Sequence, residues 1–251
     1  MIRGITDSVK HLLIINVIMF IGTIAIQNGV PFRTWFALYF PENDLFQPWQ
    51  IFTHMFMHGG FMHILFNMFA LWMFGTAVET QLGSKKFLFL YLSAGLGAVL
   101  FQLGFYYFNY IPVHTELIAS GLTDSQIIEM FTSNETVGNI SPNQLALLKE
   151  AYPTYNAAMV GASGCIMGIL AAFGMMNPEA KLMLIFLPIP IKAKYFIPGI
   201  ILLDIISAIS GQSFFSPSNT AYMAHVGGAL TGFLIMWYWK RTQFNKNRWD
   251  R

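Results

Sequence analysis

The chain has 251 residues, of which 55% are hydrophobic and only 10% are charged. A soluble domain carries roughly 25% charged residues, so this composition indicates an integral membrane protein and excludes an ordinary water-soluble enzyme. The formal net charge of +2 is too small and too scattered to predict a nucleic-acid partner, and the single cysteine, Cys165, excludes an intrachain disulfide framework.

Six apolar stretches are long enough to cross a bilayer, since a spanning helix needs about 20 mostly apolar residues. The stretch nearest the N-terminus is too long for the apolar part of a signal peptide, so we interpret it as a retained first span. A further apolar run, 182–191, is short and contains two prolines, which predicts a connecting loop at the membrane surface. The predicted spans are about 11–30, 57–78, 87–108, 156–176, 195–214 and 221–239.

The basic residues give these spans an orientation. With the N-terminus inside, twelve of the 14 Lys and Arg residues fall in cytoplasmic segments, and only Arg33 and Lys149 fall outside. Such a bias predicts that both termini are cytoplasmic. No internal repeat or linker is visible, so the predicted architecture is one all-α, polytopic six-helix membrane domain over residues 1–251.

Two outer loops follow from this topology. The first, about 31–56, is rich in aromatic residues and is expected to rest partly in the membrane interface. The second, about 109–155, is polar and acidic, and it contains two predicted short surface helices. Thr123 is the predicted N-cap of one helix; Ser141 is the predicted N-cap of the other, with Pro142 in its first helical position.

Spans two, four and six carry polar residues near their outer ends, namely His63 and Asn67, Ser163, and His225. At about 1.5 Å rise per residue, these four residues are predicted to occupy one layer below the outer surface. Each has an ordinary structural explanation, such as a hydrogen bond between helices or small-residue helix packing. Their coincidence at one depth favours a shared site, because buried polar groups in a membrane are costly and normally face a bundle interior or a water-filled cavity.

These residue types are suited to hydrolysis of an amide bond. A serine hydroxyl becomes a nucleophile when a neutral histidine accepts its proton, and side-chain amides, imidazoles and a backbone N–H can stabilise the oxyanion that forms. Cys165 is the rival nucleophile, but it follows Ser163 by two positions and therefore points about 200° around a helix. We interpret Cys165 as a packing residue.

The motifs resemble those of the rhomboid family of intramembrane serine proteases. The G-x-S-G motif is Gly161 to Gly164, and a second motif runs from Gly75 through Glu79 to Gly83. The pattern of histidines and an asparagine in span two is His54, His58, His63 and Asn67, and the last span carries the pair Ala224 and His225. The resemblance covers about residues 45–239.

The resemblance implies a six-helix fold in which Ser163 is the nucleophile and His225 the general base of a dyad without a third carboxylate. His63 and Asn67 would form the oxyanion hole with the Ser163 backbone N–H. No cofactor or metal is implied. The implied partners are single-span membrane protein substrates and membrane lipid, the site would open to the extracytoplasmic side, and the expected location is a bacterial plasma membrane.

Several alternatives stay open. A six-span transporter would place polar residues through the whole bilayer depth, and a non-catalytic rhomboid-like chaperone or adaptor would not need the serine and histidine. Asp204, near the middle of span five, is interpreted as a structural residue, with an orienting role toward His225 as the competing idea. Gln50 stands where the family often has an arginine, which predicts a different anchoring of the first loop.

Overall fold

The computed structural model describes residues 4–26, 30–133, 135–136, 138–184, 187–213 and 221–246. Helices dominate this part of the chain. They are α1 (Asp7–Ala25), α2 (Val30–Phe36), α3 (Gln50–Thr53) with a 3-10 turn (His54–Phe56), α4 (Phe61–Ala70), which continues through a π-helical turn (Leu71–Gly75) into α5 (Thr76–Leu82), α6 (Ser84–Ala119), α7 (Asp124–Ser133), α8 (Pro142–Tyr155), α9 (Ser163–Met176), α10 (Ala193–Ser210) and α11 (Tyr222–Lys246).

Four helical segments within the described residues are long and apolar enough to cross a membrane. They are α1, the continuous segment Phe61–Leu82, α6 and α10. The chain is therefore a membrane protein, while six spans with two cytoplasmic termini stay a prediction. The predicted third span, 87–108, lies within α6, which runs for 36 residues and reaches Ala119.

The helix within the predicted span four begins later than the predicted span. Helix α9 has only 14 residues and begins at Ser163, not near residue 156. The preceding segment is extended instead, because strand β2 (Ala158–Met159) pairs antiparallel with strand β1 (Leu38–Tyr39) of the first loop. This pairing places the first loop beside the chain that leads into Ser163.

The short apolar run with two prolines differs from its prediction. Residues predicted as a surface loop form a hairpin of strands β3 (Lys181–Leu184) and β4 (Leu187–Lys192). Prolines exclude a helix here but are tolerated in an edge strand. Glu179 closes the base of the hairpin by ion pairs with Lys192, at 2.7 Å, and Lys194, at 2.5 Å.

Small residues allow α9 to lie at the centre of the bundle, between α6 and α11. All residues from Gly164 to Ala172 are buried. A Cβ at Gly164 would lie 2.5 Å from the Ala98 Cβ on α6, and a Cβ at Gly228 on α11 would lie 2.8 Å from the Gly164 carbonyl carbon. The backbones of α9 and α11 therefore touch, as expected for small-residue helix contacts in membranes.

The second predicted outer loop folds into an outer cap, which consists of the C-terminal part of α6 with α7 and α8. Both predicted surface helices are confirmed, and the Ser141 side chain accepts a hydrogen bond from the Gln144 N–H in a capping box. The cap buries its own apolar cluster around Leu117, Ile127 and Tyr155. Hydrogen bonds from the Tyr107 hydroxyl to Glu42 and from the Asn43 amide to the Tyr155 carbonyl join the cap to the first loop.

Gln50 anchors the first loop from within. Its side chain is fully buried and accepts hydrogen bonds from the backbone N–H groups of Tyr39 and Gln47. Its amide nitrogen donates to the carbonyl oxygens of Thr34 and Leu45. At the position where the family often has an arginine, the Gln50 amide makes four hydrogen bonds to backbone groups. These bonds hold the loop on both sides of β1.

Candidate active site

Ser163 and His225 are in direct contact. The Ser163 Oγ and the His225 Nε2 are 2.9 Å apart, although the residues lie 62 positions apart on α9 and α11. The start of α11 is fixed from α6, because the buried Gln102 side chain accepts a hydrogen bond from the Ala224 N–H. Together with the backbone contact of α9 and α11, this bond holds the imidazole at the serine.

The position of Ser163 at the beginning of α9 has a chemical consequence. The first N–H groups of a helix have no intrahelical acceptor, and the helix dipole makes this end partly positive. The Ser163 N–H is thus free to bind an oxyanion, which would not be so if Ser163 lay inside a helix. The preceding Gly161 adopts a φ of 128°, and its N–H donates to the His54 carbonyl oxygen at 2.9 Å, which shapes the turn into the helix.

His63 lies on the other side of this turn. A Cβ at Gly161 would be 2.8 Å from the His63 Nε2 and 3.6 Å from the Ser163 Oγ, so glycine is required for the close approach. The Gly59 N–H donates to the His63 Nδ1 at 3.4 Å. A neutral imidazole that accepts at Nδ1 carries its proton on Nε2, which makes the atom facing the turn a hydrogen-bond donor.

Asn67 follows His63 by one helical turn on the same face of α4. Its side chain is only 7% exposed, and its Nδ2 has no hydrogen-bond partner among the described residues. A buried amide donor without a partner is costly unless water or a ligand fills the place. The free donor is consistent with the predicted oxyanion role.

His58 extends the polar region away from Ser163. Its ring packs edge-on against the His63 ring, with centroids 5.0 Å apart, and is 2% exposed. Neither ring nitrogen has a hydrogen-bond partner in the described part of the chain. The sequence motif contained this residue, but no role was predicted for it.

Asp204 gives a result that the sequence interpretation did not favour. Its Oδ2 lies 2.9 Å from the His225 Nδ1, on the side of the ring opposite Ser163. The Asp204 side chain is 2% exposed and the His225 side chain 12%. The carboxylate thus contacts the candidate base directly, which supports the competing idea of an orienting residue.

Cys165 and Glu79 lie outside the candidate site and have structural contacts. Cys165 is buried in the core cluster against Gly95 of α6 and does not face the Ser163 and His225 contact, as predicted. Glu79 accepts hydrogen bonds from the Thr6 and Ser84 hydroxyls and from the N–H groups of Ser8 and Val9. It therefore caps the N-terminus of α1. No group of three or more His, Cys, Asp or Glu residues in the described ranges is arranged to hold a metal ion.

Comparison with known proteins supports the motif assignment. The Rhomboid domain model matches residues 45–242. The mitochondrial rhomboid protein 1 of Saccharomyces cerevisiae is 28% identical over 184 residues, which cover 73% of this chain and 39% of the yeast protein. The mitochondrial presenilin-associated rhomboid-like protein A of Danio rerio is 30% identical over 187 residues, which cover 73% of this chain and 34% of that protein.

A shorter match has a higher sequence identity. The rhomboid protease GlpG of Salmonella newport is 50% identical over 52 residues, which cover 21% of this chain and 19% of that protein. The chain matches about a third to two-fifths of the length of the yeast and zebrafish relatives. The domain model spans more than half of the chain and includes Ser163 and His225. The chain therefore belongs to the rhomboid family.

Proposed function

We propose that this chain is an intramembrane serine endopeptidase that hydrolyses peptide bonds in or near transmembrane segments of membrane proteins. The observation that carries the proposal is the 2.9 Å contact between the Ser163 Oγ and the His225 Nε2. A hydroxyl paired with an imidazole at this distance is the arrangement that general-base activation of a serine requires. A transporter or a non-catalytic adaptor does not require this contact, nor the unpaired Asn67 amide donor on α4.

The proposed reaction proceeds in two halves. The Ser163 Oγ attacks the scissile carbonyl carbon while its proton passes to the His225 Nε2, and the tetrahedral intermediate then collapses. The carbon–nitrogen bond breaks, the leaving amine takes the proton from His225, and the new carboxyl fragment stays attached to Ser163 as an ester. A water molecule then attacks the ester, gives a proton to His225 and releases the acid, and Ser163 regains its proton.

Three donors are available for the negative charge that develops on the carbonyl oxygen. They are the Ser163 backbone N–H, the His63 Nε2–H and the unpaired Asn67 amide. Such donors are already oriented before the reaction begins. In a site of low dielectric constant, a hydrogen bond from an oriented donor to the oxyanion stabilises the transition state strongly. Gly161 has no side chain beside the Ser163 Oγ, and a substrate backbone is proposed to approach the serine at this glycine.

The proposed substrates are single-span membrane proteins, and the proposed fold places the site in a six-span bundle open to water from the extracytoplasmic side. The positive-inside bias supports this orientation. A bacterial plasma membrane gains no support from the two long matches, both of which are named as mitochondrial proteins. The proposal for location is therefore limited to a cell or organelle membrane.

The proposal is tested by reconstituting the purified chain in liposomes with a fluorescent single-span reporter protein. Wild type is expected to cleave the reporter, and Ser163→Ala and His225→Ala are each expected to abolish cleavage, because neither group acts alone. Circular dichroism and thermal unfolding of both variants provide the control for folding. Equal cleavage by wild type and a well-folded Ser163→Ala variant would refute the proposed function.

A further inference from the structure

Asp204 stands out because it is a carboxylate buried within an apolar helix. Helix α10 buries Ala193, Ile197, Asp204 and Ser207 along one face, and Asp204 is 1% exposed as a whole residue. Ionisable residues in a membrane-spanning helix are expensive, so they normally pair with another group or serve a function. Among the described residues, the partner of the Asp204 carboxylate is the His225 imidazole.

The geometry points to Asp204 as a positioning residue that completes a Ser163–His225–Asp204 triad. This inference rests on the proposed function and adds a third member to its serine and histidine. The two ring nitrogens of His225 each face one partner at 2.9 Å, namely Ser163 at Nε2 and Asp204 at Nδ1. The imidazole is thus held at both ends of its polar axis, by residues on α9 and on α10.

With Asp204 ionised, this contact selects one tautomer of His225. An ionised carboxylate only accepts hydrogen bonds, so the Nδ1 must carry the proton and donate to the Asp204 Oδ2. The Nε2 is then unprotonated and accepts the Ser163 proton. A protonated Asp204 would donate to Nδ1 instead and leave the proton on Nε2, where it blocks general-base action. In the proposed triad, Asp204 stabilises the imidazolium without taking its proton.

Replacement by asparagine removes this selection, because an amide donates as well as accepts. In a serine protease triad the same change lowers kcat about 10⁴-fold while the geometry is kept. We expect Asp204→Asn to lower kcat by about 10²- to 10⁴-fold and to leave KM nearly unchanged, because Asp204 does not touch the substrate. Asp204→Glu keeps the charge and is expected to recover part of the loss.

Ser207→Ala is the matched control, since Ser207 is buried on the same face of α10, about one turn after Asp204. It is expected to keep kcat within about threefold of wild type, and all variants are compared at equal folded fraction by thermal unfolding. Retention of wild-type kcat in folded Asp204→Asn would overturn the inference, as would an equal loss in Ser207→Ala and Asp204→Asn.

A second measurement needs no active enzyme. Nitrogen-15 NMR of histidine-labelled wild type in lipid nanodiscs reports the tautomer of His225, which is assigned by its absence in His225→Ala. A neutral ring protonated on Nδ1, with a hydrogen-bonded Nδ1 proton, is expected; a ring protonated on Nε2 would overturn the inference. If wild type does not cleave any reporter, the proposed function fails, and the tautomer still decides the role of Asp204.

Discussion

The packing of α9 against α11 sets the distance between Ser163 and His225, and one added methyl group tests this directly. Gly228 lies three residues after His225, and a Cβ at this position would lie 2.8 Å from the Gly164 carbonyl carbon and 3.2 Å from the Gly164 Cα. The carbonyl oxygen of Gly164 is nearer still. These are backbone atoms, so the contact is relieved only if the two helices separate.

The size of the separation follows from ordinary contact distances. Nonbonded carbon atoms rest about 3.5–4.0 Å apart, so Gly228→Ala requires the helices to move apart by roughly 1 Å. A shift of this size at the adjacent residues stretches the 2.9 Å contact of Ser163 and His225 beyond hydrogen-bonding distance. We expect kcat to fall about 100-fold and the free energy of unfolding to fall by about 1–3 kcal/mol, as in other overpacked cores.

Reporter cleavage in liposomes measures kcat, and thermal unfolding measures stability. Gly104→Ala is the matched control, because Gly104 is also a helical glycine but a Cβ there meets nothing within 4 Å. It is expected to leave kcat unchanged. Wild-type kcat and unfolding temperature in Gly228→Ala would refute the claim that backbone contact between α9 and α11 positions the site.

Three further predictions concern the oxyanion donors, the membrane topology and the α1 cap. Asn67→Ala and His63→Ala should each lower kcat by about 10- to 1,000-fold; unchanged kcat in both variants and in the double variant would remove them from the site. Cysteine-reactive labels should reach introduced residues at both termini only from the cytoplasmic side and in 109–155 only from outside; labelling of this loop from inside would contradict the topology. Glu79→Ala should lower the free energy of unfolding by about 1.5–3 kcal/mol, because the α1 N–H groups lose their charged acceptor. The kcat per folded molecule should stay unchanged. A loss of kcat at equal folded fraction would give Glu79 a role in the reaction.

Helices were the most predictable part of the fold, because their signals are local. Ser141 and Pro142 predicted the start of α8 to the residue, and the structure confirms it. The start of α9 was missed because residues 156–162 are as apolar as a helix and contain no proline. Their extended form depends on pairing with β1, more than a hundred residues earlier, and no local pattern records such a partner.

The candidate site was predictable as far as its motifs reach. Ser163, His225, His63 and Asn67 were selected by residue type and shared depth. The structure places Ser163, His225 and His63 around one turn, and Asn67 on the helix that carries His63. The sequence singled out Asp204 because a carboxylate within a membrane-spanning helix is energetically unfavourable. Its partner, however, depends on how α10 is rotated against α11. The apolar residues of α10 are spread around the whole helix, so the sequence alone does not give that rotation. The contact with His225 therefore had to come from the three-dimensional structure.

We propose that Ser163 hydrolyses a peptide bond at the membrane, and the masses of the products show whether it does. Wild type and Ser163→Ala are incubated in liposomes with a single-span substrate in water enriched in oxygen-18, and the fragments are analysed by mass spectrometry. We expect a wild-type N-terminal fragment that ends in or near the spanning segment and carries one oxygen-18 atom in its new carboxylate, with no such fragment from Ser163→Ala. The same fragment from a folded Ser163→Ala variant, or cleavage only in water-exposed loops far from the membrane, would refute this function.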